Sequence, residues 1–249
     1  MQNKLSRFAK LIIPIVFWLL IWEISALLLN FPYFLPDIST TAKALYKIFC
    51  SSSTYKILFL TFSRVIISII ISSIFGIILA VISHKIDIVR VFLSPLISVM
   101  KSVPVAIFSV LFYILIRADI IPILITFFMI MPIIWQNLMN GYDSIDKNLS
   151  EVCLAYEFSY KKRLAVLIFP TLVKYFIPAL ITSVGFAWKA VISSEILVRT
   201  TDSIGKIISD SKFYMDTASV FAWTFIALLL SVSLEKGTRY LLGRCKIWD

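Results

Sequence analysis

Long apolar runs separated by short polar stretches dominate this chain. They fall at about 11–29, 65–83, 92–116, 120–138, 173–193 and 218–234. Each is near the ~20 residues a helix needs to cross ~30 Å of hydrocarbon. A backbone in lipid must satisfy its own hydrogen bonds, so every run is predicted to be helical. Pro95 and Pro104 are expected to break the third run.

Two polar stretches interrupt this pattern. In 30–60, turn signals at Asn30, Pro32 and Pro36 precede a predicted short helix from Thr40 to Phe49, capped by Thr40 or Thr41. The second stretch, 139–172, is longer. From Ser144 to Phe158 the apolar residues Ile145, Leu149, Val152, Cys153 and Tyr156 recur at helical spacing. Asp146, Lys147, Ser150, Glu151 and Glu157 take the opposite face. Ser159 is placed to cap a second helix. That helix carries Lys161, Lys162 and Arg163 into Leu164, Leu167 and Ile168, and Pro170 is expected to end it. The result is an amphipathic helix–turn–helix. Such a hairpin either rests on headgroups or lays its apolar stripe in a partner's groove.

Composition confirms the class. Of 249 residues, 60% are hydrophobic and only 15% charged, against about 25% charged in soluble domains. An all-α integral membrane protein of about six spans is predicted. The net charge of +10 is assigned to anionic headgroups and the positive-inside rule rather than to nucleic acid. Cations cluster beside span ends at Lys4, Arg7 and Lys10, at Lys85 and Arg90, at Lys147 and Lys161 to Arg163, and at Lys236, Arg239, Arg244 and Lys246. This arrangement places both termini and the 139–172 loop in the cytoplasm. The run 11–29 reads as a retained span, because no small-x-small site follows it.

The remaining chemistry is sparse. The three cysteines (Cys50, Cys153, Cys245) are scattered, and there is one histidine, His84. Neither a disulfide framework nor a metal site is expected. No G-x-x-x-x-G-K-[ST] and no Ser/His/Asp set occurs, so the chain is not read as an enzyme. Ionisable residues inside spans are costly and default to functional candidates. They are Glu23, Lys101, Lys189 and Glu195. Lys189 is read as snorkelling to an interface. Lys101, in the span broken at Pro104, and Glu195 are kept as functional candidates. Trp188 is either an interface anchor or a further candidate of the same kind.

The stretch 150–170 resembles the loop that permease subunits of bacterial ATP-binding-cassette importers present to their ATPase. In that family the pattern is EAA, three residues, Gly, nine residues, then I-x-L-P. Glu151, Val152 and Cys153 occupy the EAA places, Glu157 the Gly place, and Leu167, Phe169 and Pro170 the I-x-L-P places. Other stretches agree in order: Phe34-Leu35-Pro36, Leu60 to Val65, Lys101 to Pro104, Asn137 to Gly141, Ala187-Trp188 with Ser194-Glu195, Ser203-Ile204-Gly205, and Trp248. Together they resemble the nitrate, sulfonate, taurine and thiamine-precursor branch over about 10–249. Two departures stand out. Glu157 replaces the Gly, and Arg117-Ala118-Asp119-Ile120 stands where the family tends to have F-G-I-G.

The resemblance implies a single permease domain over 1–249 with a fold like type I importers and a coupling loop at 139–172. Glu151, Val152, Cys153, Tyr156, Glu157 and Pro170 would meet the ATPase. Lys101, Pro104, Trp188 and Glu195 would line the path. The implied partners are a second copy of the chain, a cytoplasmic ATPase dimer, an extracytoplasmic substrate-binding protein and membrane lipid. ATP and Mg would be bound by the ATPase, and this chain would hold no cofactor. The cargo would be a small solute, anionic or heterocyclic, moved inward across a bacterial cell membrane by alternating access. The alternative is a stand-alone secondary transporter or channel. That class would more often show charged relays or mirrored broken helices.

Overall fold

A computed structural model describes residues 2–29, 31 and 33–243, with side chains from Ile12 onward. Among these residues the chain is helical with no strand. The helices are α1 (Gln2–Leu29), α2 (Ile38–Cys50), α3 (Ser52–Lys85), α4 (Asp87–Ser102), α5 (Val105–Leu115), α6 (Ile121–Asp143), α7 (Lys147–Ala155), α8 (Tyr160–Arg163), α9 (Phe169–Val198), α10 (Ile204–Phe213) and α11 (Thr217–Gly243). A π-helical turn, Leu164–Ile168, joins α8 to α9. Asn30, Pro32, Cys245 and Trp248 lie outside the described residues.

Five helical stretches are long and apolar enough to cross a membrane: Ile12–Leu29, Ser52–Lys85, Ile121–Asp143, Tyr160–Val198 and Thr217–Gly243. The third apolar run, expected to be broken, is a bent helix pair. α4 and α5 meet at a 101° bend. Pro95 sits inside α4 without breaking it. The break falls at Val103 and Pro104, where Pro104 takes φ −61° and ψ 141° at the head of α5.

The centre of the bundle is α3, α6 and α9. α3 buries Thr61, Val65, Ser68, Ser72, Gly76, Ala80 and Ser83 along one stripe. Without a hydrophobic drive between helices in lipid, such small residues favour association by letting backbones approach. At Gly76 the approach is tight, since an added Cβ would stand 2.8 Å from Ile134 Cγ2. Ser83 Oγ receives the Trp135 indole N–H at 3.1 Å. Val65, Ile130, Ile134, Trp135, Ala187 and Val191 are among the fully buried core residues. Phe108, Phe112 and Phe128 stack at 5.6–5.8 Å and join α5 to α6.

Several local expectations are corrected. α2 is capped by Asp37, whose carboxylate accepts from Thr40 N at 3.2 Å, and not by Thr40 or Thr41. Aspartate serves because its side-chain oxygen reaches a free first-turn N–H. Glu23 does the same from within α1, accepting the Ile38 N–H at 2.9 Å. The beginning of α3 extends to Ser52, well ahead of the apolar run. Pro170 does not end a helix: it lies in the first turn of α9, which runs on to Val198. Proline is tolerated there because first-turn N–H groups lack intrahelical acceptors.

Candidate functional site

The stretch 139–172 forms a hairpin at the end of the bundle where α3 and α6 finish. α7 is shorter than predicted. Asp146 interrupts the chain and caps it, accepting from Asn148 N at 2.8 Å. At its other end, Phe158 N donates to Cys153 O and Glu157 N to Leu154 O, both at 2.9 Å. These two bonds make a Schellman turn, whose pivot takes the left-handed conformation. Glu157 is that pivot, with φ 50°. Ser159 then caps α8 through Lys162 N at 3.4 Å, as expected.

Four contacts fix the hairpin and its base. Arg163 Nη2 donates to Ser150 Oγ at 2.7 Å and ties the second arm to the first. The Lys162 ammonium lies 3.9 Å from the Phe158 ring centre. At the base, Arg90 of α4 grips Asp143 of α6 with two bonds at 2.9 and 2.6 Å. His84 stacks on Tyr142 beside it, with ring centres 3.9 Å apart.

The predicted stripe is split. Cys153 turns inward and is buried, while Leu149, Val152 and Tyr156 stand out, 52%, 50% and 75% exposed. Glu151 and Glu157 are exposed beside them, and Pro170 is half-buried. Nothing else in the described chain covers this apolar face.

A second cluster closes the opposite end of the bundle. Glu195 of α9 is fully buried. Its carboxylate accepts from Arg64 Nη1 at 2.9 Å, from Thr61 Oγ1 at 3.1 Å and from the Gly205 backbone N–H at 3.2 Å. Thr61 Oγ1 also accepts from Ile204 N at 3.2 Å. A buried carboxylate is stable only when paired and hydrogen-bonded in this way. Gly205 makes it possible: a Cβ there would lie 2.4 Å from Glu195 Cβ and 2.5 Å from Ile196 N. Around the cluster, Lys56 pairs with Asp202 at 2.6 Å and Thr201 Oγ1 donates to Asp119 at 2.5 Å. Arg199 pairs with Asp210. The hydrogen bond and charge of Lys56 hold the exposed Asp202 carboxyl below its usual value.

The four predicted path residues do not converge. Lys101 and Pro104 are exposed at the α4–α5 bend. Trp188 is buried, with its indole N–H on Ala227 O of α11 at 2.8 Å. Glu195 belongs to the cluster just described. Arg64 and Thr61 were not singled out from sequence, although the Leu60–Val65 stretch containing them was. Among the described residues no group of three or more His, Cys, Asp and Glu is placed to hold a metal.

The sequence pattern described as the binding-protein-dependent transport system inner membrane component matches residues 72–245. The chain belongs to that family. Over 115 residues it is 24% identical to "Putative aliphatic sulfonates transport permease protein SsuC" of Bacillus subtilis (strain 168). That match takes in 46% of this chain and 41% of the relative, so less than half the length of the relative is spanned. Among solved structures the fold is similar to a chain in "Crystal structure of an amino acid ABC transporter with histidines", with a TM-score of 0.59 at 14% identity. The likeness covers 77% of this chain and 91% of that one, and is one of fold. The inner membrane component is thus a multi-pass helical protein of a transport family, and the matched range contains the hairpin and Glu195 with Gly205, while Thr61 and Arg64 precede it.

Proposed function

We propose that the chain is the permease subunit of an ATP-binding-cassette importer. Two copies enclose a path, an ATPase dimer docks on their hairpins, and a substrate-binding protein delivers solute to the opposite face. The chain itself performs no covalent step. It converts closure of the ATPases into opening and shutting of the spans. In this reading the hairpin and both termini are cytoplasmic, and 1–249 acts as one permease domain.

The observation that carries the proposal is the exposed face of Leu149, Val152 and Tyr156 on a hairpin that is otherwise stapled in place. An amphipathic helix that leaves its apolar face uncovered, held rigid by Asp146, Arg163 and the turn at Glu157, suits a groove in a partner. Glu151 and Glu157 border that face and would select a groove with cationic edges. The π-helical turn leads directly into α9, so force on the hairpin passes into the helix that holds Trp188 and Glu195. The cargo is proposed to be a small anion, in keeping with the sulfonate relative.

The test is co-purification of the tagged chain with its ATPase, followed by paired assays of ATP hydrolysis and solute uptake in liposomes. Glu151→Ala and Tyr156→Asp are expected to abolish uptake while the chain remains inserted. Unchanged uptake in both variants, or uptake by the wild-type chain with no ATPase present, sinks the proposal.

A further inference from the structure

Three apolar runs stop at one level of the bundle. Those of α3 and α6 end at about 83 and 138, that of α9 begins at about 173, and the polar hairpin lies beyond. At this level the three helices leave a groove of about 330 Å³ between them. Ile77 and Val81 line it from α3, Leu138 and Tyr142 from α6, and Val173 and Phe176 from α9. On each helix these positions are three or four apart, so each turns one face to the groove. The phenol of Tyr142 is the one polar side-chain group in the lining.

Size and charge together select what fills this space. One turn of a helix, about 10 Å across and 5.4 Å long, takes up about 400 Å³, so the groove does not hold a further helix. A single alkyl chain does fit, since small-molecule pockets begin at about 300 Å³. Where the runs stop, the hydrocarbon gives way to headgroups. A cation stands there. Lys85 is four residues beyond Val81, about 6 Å further along the same face of α3. It is exposed, and no ion pair among the described residues uses it. Two carboxylates are close by. Asp143 is taken by Arg90, and Asp87 lies across the helix break at Ile86. His84, next to Lys85, stacks on Tyr142 and so ties this end of α3 to the groove wall.

We propose that the groove between α3, α6 and α9 binds one acyl chain of an anionic phospholipid, with the lipid headgroup at Lys85. A chain seated there touches both helices that carry the hairpin. Binding needs neither the ATPase nor transport, so it stands or falls separately from the importer reading.

The test places the full chain in phosphatidylcholine nanodiscs with a trace of a photoreactive lipid, and maps the labelled peptides by mass spectrometry. Two probes carry the same diazirine acyl chain, one on phosphatidylglycerol and one on phosphatidylcholine. Label is expected around Val81, Leu138 and Val173, about fivefold stronger with phosphatidylglycerol, the scale of one basic side chain at an anionic surface. K85Q should bring the two probes to parity and K85R should keep the preference. V173W, which fills the groove, should remove this label and leave that on the exposed helix α1 unchanged. Equal labelling by both probes in the wild type, an undiminished preference in K85Q, or unchanged groove label in V173W overturns the proposal. If V173W fails to insert, the two probes on the wild type and K85Q decide. Groove stretches left unlabelled while α1 is labelled would mean that a second copy covers them, and the lipid assignment falls.

Discussion

Arg64 of α3 and Glu195 of α9 form an ion pair at 2.9 Å, with the glutamate side chain fully buried and the arginine 11% exposed. Removing one partner strands the other charge. Glu195→Ala should therefore destabilise the chain by about 3–5 kcal/mol, while a double change to apolar residues of similar volume, Arg64→Leu with Glu195→Met, should recover most of that loss. Thermal unfolding in detergent, followed by tryptophan fluorescence, measures both. A single variant as stable as the wild type would show that the pair carries no structural weight.

Gly205 packs against the backbone of the helix that carries this glutamate, with an added Cβ 2.5 Å from Ile196 N. Backbone atoms cannot turn aside as a side-chain tip can. Gly205→Ala should cost at least the ~1–3 kcal/mol of ordinary overpacking and should also displace the N–H that Glu195 accepts. Gly237 of α11 is the control, because a Cβ there meets nothing within 4 Å. Gly237→Ala should be neutral or stabilise by up to about 1 kcal/mol through helix propensity. The same unfolding assay separates them.

The apolar runs located the spans because a membrane helix must be apolar along its whole lipid-exposed length. The same logic hid what the apolar runs do not mark. Ser52 to Arg64 continues α3 with only the short apolar run Ile57–Leu60 among Ser, Thr, Lys and Arg, too short to be read as a span. The Arg64–Glu195 pair was hidden because 131 positions separate its members, and single-chain periodicity carries no information at that range. Glu195 was legible as an unusual charge in a span, but not as a buried clasp. Pro170 was misread as a stop. The π-helical turn before it shifts the register, with Phe169 N donating to Leu164 O. Pro170 then falls in the first turn of α9, where its missing N–H leaves no intrahelical bond unmade.

Asp202 offers a pH-dependent readout of the same end of the bundle. Its carboxyl is held below the usual value first by the hydrogen bond from Lys56 and then by that cation's charge. A depressed carboxylate contributes stability above its unfolded pKa and loses it as pH falls through the folded value. Carbon-detected NMR of labelled aspartate should therefore place the Asp202 midpoint below 3.8. Lys56→Met should move it upward. A midpoint unaffected by that change would mean the pair does not persist in solution.

Glu157 takes the position in the hairpin turn that favours glycine, with φ 50°. A side chain in the left-handed region costs roughly 1–2 kcal/mol that glycine avoids. The turn is nonetheless formed, with both Schellman bonds at 2.9 Å. Glu157→Gly should therefore tighten the hairpin, seen as slower hydrogen exchange at the Phe158 amide by up to about tenfold, the equivalent of ~1.4 kcal/mol of local opening. Glu157→Val should speed exchange at the same amide, because a β-branched residue is strained at positive φ. The glycine variant also removes a negative charge beside the exposed face of Leu149, Val152 and Tyr156. Local stability and ATPase affinity should then move in opposite directions. If exchange slows and affinity is unchanged, Glu157 serves the turn alone and contributes nothing to docking.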